Sequence, residues 1–327
     1  MTLQQLRYLV AVHANDLNMT AAARSLKTSQ PGISRQLKQL EEELGFELFE
    51  RQGRALVRAT APCEQIIMHA ANILRDMHII ERTAAEFSEA DGGSLSIATT
   101  HTQARYILPP VIRAFRDKYP KVRLHLHQGT SEQIADMVAR NLVDFAIATG
   151  SEELFPHLVR LPLYRWHRAV VVPQGHPLAS ACRLTLKAIA EYPIVTYVFS
   201  FSGRSSLTAR FETAGLSMDV ALTARDADVI KTYVRAGLGV GILASIAIDP
   251  VLDADLVTID AAHLLEGHTS WIGFRRGALL RTFMYDFIRL LAPHLSVQLI
   301  RKAEKPDTQD KVDRLLAGIE VPHKHHA

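Results

Sequence analysis

The patterning of this chain changes once, across Ser88-Glu89-Ala90-Asp91-Gly92-Gly93-Ser94, and that change limits it to two dissimilar folds in series. Before the break, apolar residues recur mostly at helical spacing. After it, short β-rich runs at 95–99, 122–127, 145–149, 169–172, 194–197 and 240–243 alternate with helical patterns. Such alternation argues an α/β domain with a largely parallel sheet. The length of 327 residues allows about two to three domains, and 48% apolar residues suffice for sizeable cores. The two cysteines, Cys63 and Cys182, form no CxxC pattern. They exclude a disulfide scaffold and a thiolate zinc site and fit a reducing compartment. A secretory leader and an apolar run long enough to span a membrane are both lacking, so a cytoplasmic protein without membrane contact is expected. A net charge of +3 says little about partners; its local distribution says more.

That distribution is uneven near the N-terminus. Leu3, Leu6, Val10 and Val12 suggest a first amphipathic helix. Asn18 or Met19 opens a second around Ala21-Ala22-Ala23, whose small side chains let another helix approach. Thr28 or Ser29 caps a third helix over 30–44, with Pro31 in its first turn and Gly45 at its end. Ile33, Leu37, Leu40 and Leu44 make its buried face; Gln30, Ser34, Arg35, Lys38 and Gln39 lie opposite. Between Ala21 and Leu40 stand four basic residues and no acidic one. Two short helices, a tight turn and a polar basic face make a helix-turn-helix, and Arg, Gln and Ser reach phosphates and base edges. The stretch 48–58, with a Gln52-Gly53 turn, reads as a hairpin wing that brings Arg51 and Arg54 to the DNA backbone. The plainer alternative is a small helical bundle with a solvated basic face.

Thr60 and Pro62 then open a long helix. Ile66, Ala70, Ile73, Met77, Ile80, Ala84 and Phe87 alternate spacings of four and three, a heptad seam about 40 Å long at 1.5 Å per residue. It suits dimerisation through a partner helix; the alternative is packing on its own domain. Cys63 reads as packing.

In the second half, the run at 95–99 leads into Thr100-His101-Thr102-Gln103-Ala104-Arg105. A strand end followed by a helix N-terminus is where α/β sheets bind ligands, and exposed N–H groups there favour anions. Thr100, Thr102 and Gln103 are three neutral donors, more than simple capping requires. Thr149 ends another strand with a hydroxyl. Ser202 and Gly203 offer a second anion cradle. Asp226 caps a helix, or meets an effector ammonium group. An enzyme reading fails: GxSxG, a P-loop lysine motif and a GxGxxG after a strand are lacking, and Gly237-Leu238-Gly239-Val240-Gly241 ends a helix rather than opening one. His125 and His127 alternate on a strand without a carboxylate partner, and His323, His325 and His326 read as solvated, so neither metal nor cofactor is expected. The charged last residues read as a partly helical extension with a loose end.

Three motif series, Ala21-Ala22-Ala23, Thr28-Ser29-Gln30-Pro31-Gly32-Ile33-Ser34 and Leu40-Glu41-Glu42-Glu43-Leu44-Gly45, resemble the DNA-binding domain of LysR-type transcriptional regulators. Leu3-Gln4-Gln5-Leu6-Arg7-Tyr8, Ile97-Ala98-Thr99-Thr100-His101-Thr102-Gln103-Ala104-Arg105-Tyr106, Phe145-Ala146-Ile147-Ala148-Thr149 and Asp226-Ala227-Asp228-Val229-Ile230-Lys231-Thr232-Tyr233-Val234-Arg235 resemble its CysB/Cbl branch, the activators of sulfur assimilation. The resemblance implies a winged helix-turn-helix over 1–60, a linker helix over 61–90 and an effector domain over 91–294. That domain would have two subdomains like periplasmic binding proteins, one at about 91–163 and 268–294, the other at about 164–267. A C-terminal extension covers 295–327. The implied function is DNA-binding regulation without enzymatic activity. The implied partners are promoter double-stranded DNA, RNA polymerase, further copies of the chain as a tetramer, and a small anionic or acetylserine-type effector. The matching DNA-reading positions are Thr28, Ser29, Gln30, Pro31, Ser34, Arg35 and Lys38; the matching effector positions are Thr100, Thr102, Gln103, Thr149, Trp166 and Ser202. The branch commonly has threonine where Ser202 stands, and the stretch Tyr197-Val198-Phe199-Ser200 departs from its pattern. The alternative from another class is a small-anion binding protein whose N-terminal helices only mediate assembly.

Overall fold

The computed structural model describes residues 1–53, 55–88, 92–180, 183–198 and 206–324. They form two compact units, Met1–Ala90 and Asp91–Ala327.

In the first unit, α1 (Leu3–Ala14), α2 (Met19–Ser25) and α3 (Gln30–Leu44) precede a hairpin of β1 (Phe49–Gln52) and β2 (Ala55–Ala59), and α4 (Ala61–Ser88) follows. The helices pack Leu9, Val12, Ala22, Ile33, Leu37, Leu40 and Phe49 into one core. In α1 the inward positions are Leu6, Tyr8, Leu9 and Val12; Leu3, expected on that face, is exposed. Thr60 caps α4, accepting from the Cys63 N–H at 3.3 Å. Cys63 is buried in the core, and burial pushes its thiol up to about 12, which makes it inert.

The heptad seam divides. Ala70 is buried and Ile66 half-buried against this unit's own core, because α4 packs along α1; these two are therefore not free for a partner helix. Met77 accepts a hydrogen bond from Arg7 at 3.4 Å. Ile73 and Ile80 remain exposed at 42% and 69%, as an unpaired seam does. The side chains of Ala84 and Phe87 lie outside the described residues.

The second unit holds two five-stranded sheets. β3 (Gly93–Thr99), β4 (Val122–Gln128), β5 (Phe145–Thr149) and β6 (Leu158–Trp166) build the first. The chain then crosses at His167 into β7 (Arg168–Pro173), β8 (Ile194–Tyr197), β9 (Val220–Ala224), β10 (Val240–Ala244) and β11 (Leu256–Asp260), and returns as β12 (His268–Arg275). The strand orders are β4-β3-β5-β12-β6 and β11-β7-β10-β8-β9. The sheets are mixed rather than largely parallel: β12 runs antiparallel to β5 and β6, and β7 to β10 and β11. The helices α5 (Leu108–Lys118), α6 (Ser131–Ala139), α7 (Leu186–Ala190), α8 (Ser206–Thr213), α9 (Ala227–Arg235) and α10 (Thr282–Leu291) accompany the strands. Phe115, Phe145 and Phe287 cluster in the first half, with Phe145 and Phe287 stacked at 6.0 Å. The glycine run after α9 is structural: a Cβ on Gly239 would lie 2.1 Å from the Pro193 carbonyl oxygen.

The C-terminal extension is bound rather than loose as far as Lys324. After α11 (Val297–Ala303), α12 (Gln309–Leu316) lays Val312 and Leu316 into the core. The Gln309 amide pairs with both backbone groups of Arg160 on the β6 edge, each at 3.0 Å. Further along that edge, Arg165 N–H donates to the Pro322 carbonyl and Lys324 N–H to the Arg165 carbonyl, both at 2.8 Å. Side chain and tail thus cover an edge that would otherwise present unpaired groups. His325 and His326 lie outside the described residues, as does Cys182. Gln309→Ala should destabilise the native state by about 1–3 kcal/mol, because it strands a backbone donor and acceptor. Urea unfolding measures this, and an unchanged midpoint would remove Gln309 from the edge's support.

Candidate DNA-binding face and effector cleft

The Asn18 side chain caps α2, accepting from Thr20 and Ala21 N–H at 3.1 and 3.0 Å. Lys27 takes a left-handed conformation (φ 51°) that turns the chain within two residues of α3. Ser29, not Thr28, caps α3, accepting from Gly32 N–H at 3.3 Å. Ile33, Leu37 and Leu40 are fully buried. That burial fixes the rotation of α3 and leaves Gln30, Pro31, Arg35 and Lys38 exposed, with Ser34 half-buried beside them; Thr28 and Ser29 are exposed at the turn. The first turns of α2 and α3 carry no acidic residue, so their N-terminal partial charges stay available to phosphate. Lys38 lies 3.9 Å from Glu42, an exposed pair too weak to withhold it from DNA. Arg54 and the Arg51 side chain lie outside the described residues.

In the second unit the site forms where β3 ends. The Thr99 hydroxyl is buried and donates to the Ile147 carbonyl at 3.0 Å, locking β3 to β5. The helix that follows opens as a π-helical turn, Gln103–Ile107, in which Leu108 N–H bonds back to the Gln103 carbonyl. Its cause is legible: Pro109 and Pro110 have no N–H for the carbonyls four residues earlier, so the first turn widens.

Gln103 is buried and faces inward. Its Nε2 donates to Ser270 Oγ at 3.0 Å, and its Oε1 accepts from the Tyr164 hydroxyl. Trp166 Nε1 also donates to Ser270 Oγ at 3.0 Å, and Ser270 Oγ lies 2.7 Å from Thr149 Oγ1. Ser270 Oγ accepts twice, and its one proton serves two neighbouring oxygens, the Thr149 and Tyr164 hydroxyls. Gln103 and Trp166 therefore spend their polar groups on Ser270 rather than on the cleft; their part is to hold it. Thr100 and Thr102 are half-buried, and Thr102 is joined to the Tyr197 phenol, which accepts from Ala244 N–H at 3.3 Å. Burial pushes the Tyr164 and Tyr197 phenols up, so both stay protonated. Ser202 lies outside the described residues.

Sequence reasoning missed Ser270, Tyr164, Arg168, Tyr197 and His268. No local motif marks them: Tyr164, Ser270 and His268 meet only when β12 slots between β5 and β6, and Arg168 and Tyr197 belong to the second sheet. It also missed the ionic cluster that ties the two halves together. Arg105 pairs with Asp228 at 2.7 Å, and Tyr106 donates to Asp228 at 2.5 Å. Buried Lys231 donates to Tyr106 at 2.9 Å and to Asp253 at 2.6 Å. Burial pushes the Asp253 carboxyl up, but the Asp249 N–H, Lys231 and Arg235 together hold it below its usual range. Asp226 caps α9, accepting from Val229 N–H at 2.9 Å. His101, Asp226 and Asp228 place ligand atoms within 4.8 Å of one another, but cap and ion pairs already employ both carboxylates. His125 and His127 stand exposed on the edge strand β4.

Comparison with known proteins decides the family. Residues 3–64 match the model of the bacterial regulatory helix-turn-helix protein, lysR family, and residues 88–296 that of the LysR substrate binding domain. The chain is a LysR-type transcriptional regulator. It is 47% identical over 324 residues to the HTH-type transcriptional regulator CysB of Haemophilus influenzae, covering 99% of this chain and all of that one. It is 47% identical over 296 residues to the regulator SsuR of Burkholderia cenocepacia, covering 90% of this chain and 96% of that one. With the cbl regulator of Escherichia coli it shares 40% identity, covering 96% and 99%. The branch resemblance read from the motifs is thus borne out. The crystal structure of the cofactor-binding domain of the Cbl transcriptional regulator matches at TM-score 0.62 and 42% identity, over 67% of this chain and 96% of that one. Full-length CbnR with its target DNA shares the fold at TM-score 0.64 and 23% identity, over 89% and 99%. The regulator belongs to a family that binds DNA and is not enzymatic, which sets aside the small-anion binding protein without promoter binding. Among the described residues no helix is long and apolar enough to cross a membrane.

The cleft carries one group whose titration is readable. Burial and then the Arg168 charge lower the His268 imidazole to about 4, against 6.5 for an ordinary histidine. Between these values the unfolded chain binds a proton that the native state refuses. Stability attributable to His268 is therefore full above about pH 6.5 and declines as pH falls toward about 4, by up to ~3 kcal/mol. His268→Gln should flatten this part of the profile; chemical denaturation from neutral to acid pH measures it, and an unaltered acid slope would refute the assignment.

Proposed function

We propose that this regulator activates sulfur assimilation genes, for cysteine biosynthesis or for sulfonate and sulfate-ester use, in response to a small sulfur-linked effector in the cleft of its second unit. Sulfate, adenosine phosphosulfate and acetylserine are the candidate effectors. The observation that carries the effector reading is the Ser270 network, which draws Gln103, Thr149 and Trp166, three of the effector positions, to one buried hydroxyl. Identity of 40–47% with CysB, SsuR and Cbl supports the sulfur assignment.

The working form is a cytoplasmic homotetramer joined partly through the exposed Ile73 and Ile80 of α4. It presents pairs of α3 helices to promoter DNA and engages RNA polymerase there. Gln30, Ser34, Arg35 and Lys38 face the major groove, with Thr28, Ser29 and Pro31 at its rim and Arg51 and Arg54 on phosphates. Effector binding shifts the tetramer between arrangements that bend DNA differently, which requires unequal affinity for the two.

Arg35→Ala should weaken binding to a promoter fragment by about 1–3 kcal/mol and relax its sequence preference, read by fluorescence anisotropy at fixed salt. Unchanged affinity and preference would remove Arg35 from the readout. Thr102→Ala should abolish the effector's influence on DNA binding while leaving basal binding intact. The effector itself is found by melting the full-length regulator with sulfate, thiosulfate, O-acetylserine, N-acetylserine and adenosine 5′-phosphosulfate, since a ligand of the native state raises the melting temperature. No shift with any of them would sink the sulfur reading.

A further inference from the structure

The end of β6 is held from both sides, and the outer hold comes from the end of the chain. β6 is an edge strand of the first sheet. Its last three residues alternate: Tyr164 and Trp166 are buried and donate to Gln103 and Ser270, while Arg165 between them is exposed. On the inner side the pairing with β12 slips just here. Ser270 faces Tyr164 but Trp271 faces Pro162, which leaves Leu163 unmatched, and Pro162 has no N–H to give. On the outer side Arg165 N–H donates to the Pro322 carbonyl and Lys324 N–H to the Arg165 carbonyl, both at 2.8 Å, with Arg165 and His323 paired as in a parallel sheet. The half-buried Lys324 side chain lies against the strand, and its Nζ is 5.4 Å from the centre of the Tyr164 ring. The chain end thus grips the one residue that separates two members of the Ser270 network, and it touches one of them directly. This grip is separable from the rest of the extension. Val312 and Leu316 are buried and Ile319 packs on the same core, so the chain is anchored as far as 319, whereas Pro322 and His323 are exposed.

We propose that residues 322–324 form a strap on β6 that fixes the aim of Tyr164 and Trp166 into the Ser270 network, so that effector affinity depends on the strap being docked. This rests on the network being part of the effector site. Lys324 is a positioning residue: it acts on the effector only through the Tyr164 ring, and Tyr164 acts through Gln103. Without the strap, the end of β6 is paired on one side only, next to a bulge, and is free to twist. A ligand that needs Tyr164 and Trp166 in place therefore also favours the docked strap, and the two bindings strengthen each other by the same factor.

The test compares the full-length regulator with three variants. A stop after Ile319 removes the strap, Lys324→Pro removes the N–H that donates to Arg165, and Lys324→Met keeps the strand and removes the cation. Trp166 is one of two tryptophans, so its exposure is read by acrylamide quenching of fluorescence, with each change repeated in a Trp166→Phe background that leaves only Trp271. The stop and Lys324→Pro should raise the quenching constant about twofold or more, and that rise should vanish in the Trp166→Phe background. Calorimetric titration with sodium sulfate and N-acetylserine reads affinity. For whichever acid binds, the stop and Lys324→Pro should lose about tenfold or more, and Lys324→Met less. Variants that melt earlier yet keep wild-type quenching and affinity would show a strap that only covers the edge, and would overturn the proposal. Raised quenching with unchanged affinity overturns it too, because the strap is then uncoupled from the effector. If the stop variant does not fold, Lys324→Pro decides. Should neither acid bind wild type, the effector reading falls for these ligands and the coupling with it; a rise in quenching then leaves the strap's hold on Trp166 standing, and no rise removes that as well.

Discussion

The second unit depends on a chain that leaves its first sheet for its second through a single residue. β6 ends at Trp166 and β7 begins at Arg168, so His167 alone separates them. His167 is itself anchored: its ring lies 3.0 Å from Asp260, and its carbonyl accepts from Ser245 N–H at 2.9 Å. A link this short cannot absorb a rotation of one sheet against the other; the flanking residues must carry it. Those residues are Trp166, which holds Ser270, and Arg168, which opens β7.

A second tie joins the two halves through residues of the π-helical turn itself. Arg105 and Tyr106 belong to the first half, Asp228 and Lys231 to the second, and they meet through bonds of 2.5–2.9 Å. Exposed Arg105 adds little, because solvent screens it. Buried Lys231 joins the halves through the Tyr106 hydroxyl and is itself held in the second half by Asp253. The cluster works as a latch whose buried member is fixed on one side. Effector binding changes the regulator only as far as it favours one arrangement of this latch over another.

How much of this was legible followed from the range of the interactions. The central strands β5 and β8 are buried along nearly their whole length, and they stand where the runs at 145–149 and 194–197 placed them. The antiparallel strands β6, β11 and β12 and the parallel edge strand β9 escaped notice. β9 and β11 alternate buried and exposed residues and so resemble loop text, while β6 carries Pro162. The helix-turn-helix was readable because caps, turn and buried face are all local. The cleft was half readable. Thr100, Thr102 and Gln103 share one strand end, but Ser270 is more than a hundred residues away and has no motif of its own. Gln103 also illustrates the limit of residue-type reasoning: an amide suited to a ligand is here consumed by Ser270 and Tyr164. The α4 seam was read with the right period but too simply, since periodicity cannot say which of two partners, α1 or another chain, an apolar face meets.

Two cations in the second unit show how differently the fold compensates charge. Lys231 is buried and has a carboxylate at 2.6 Å, a carbonyl at 3.0 Å and a phenol at 2.9 Å, so its desolvation is offset within the chain. Arg168 is half-buried at the start of β7; burial lowers its pKa, the Tyr197 phenol raises it, and among the described residues no carboxylate pairs with it. An interior charge disfavours the native state unless it is paired. Lys231 therefore adds to the register between the halves through Tyr106, while Arg168 depends on the exposure it keeps to water.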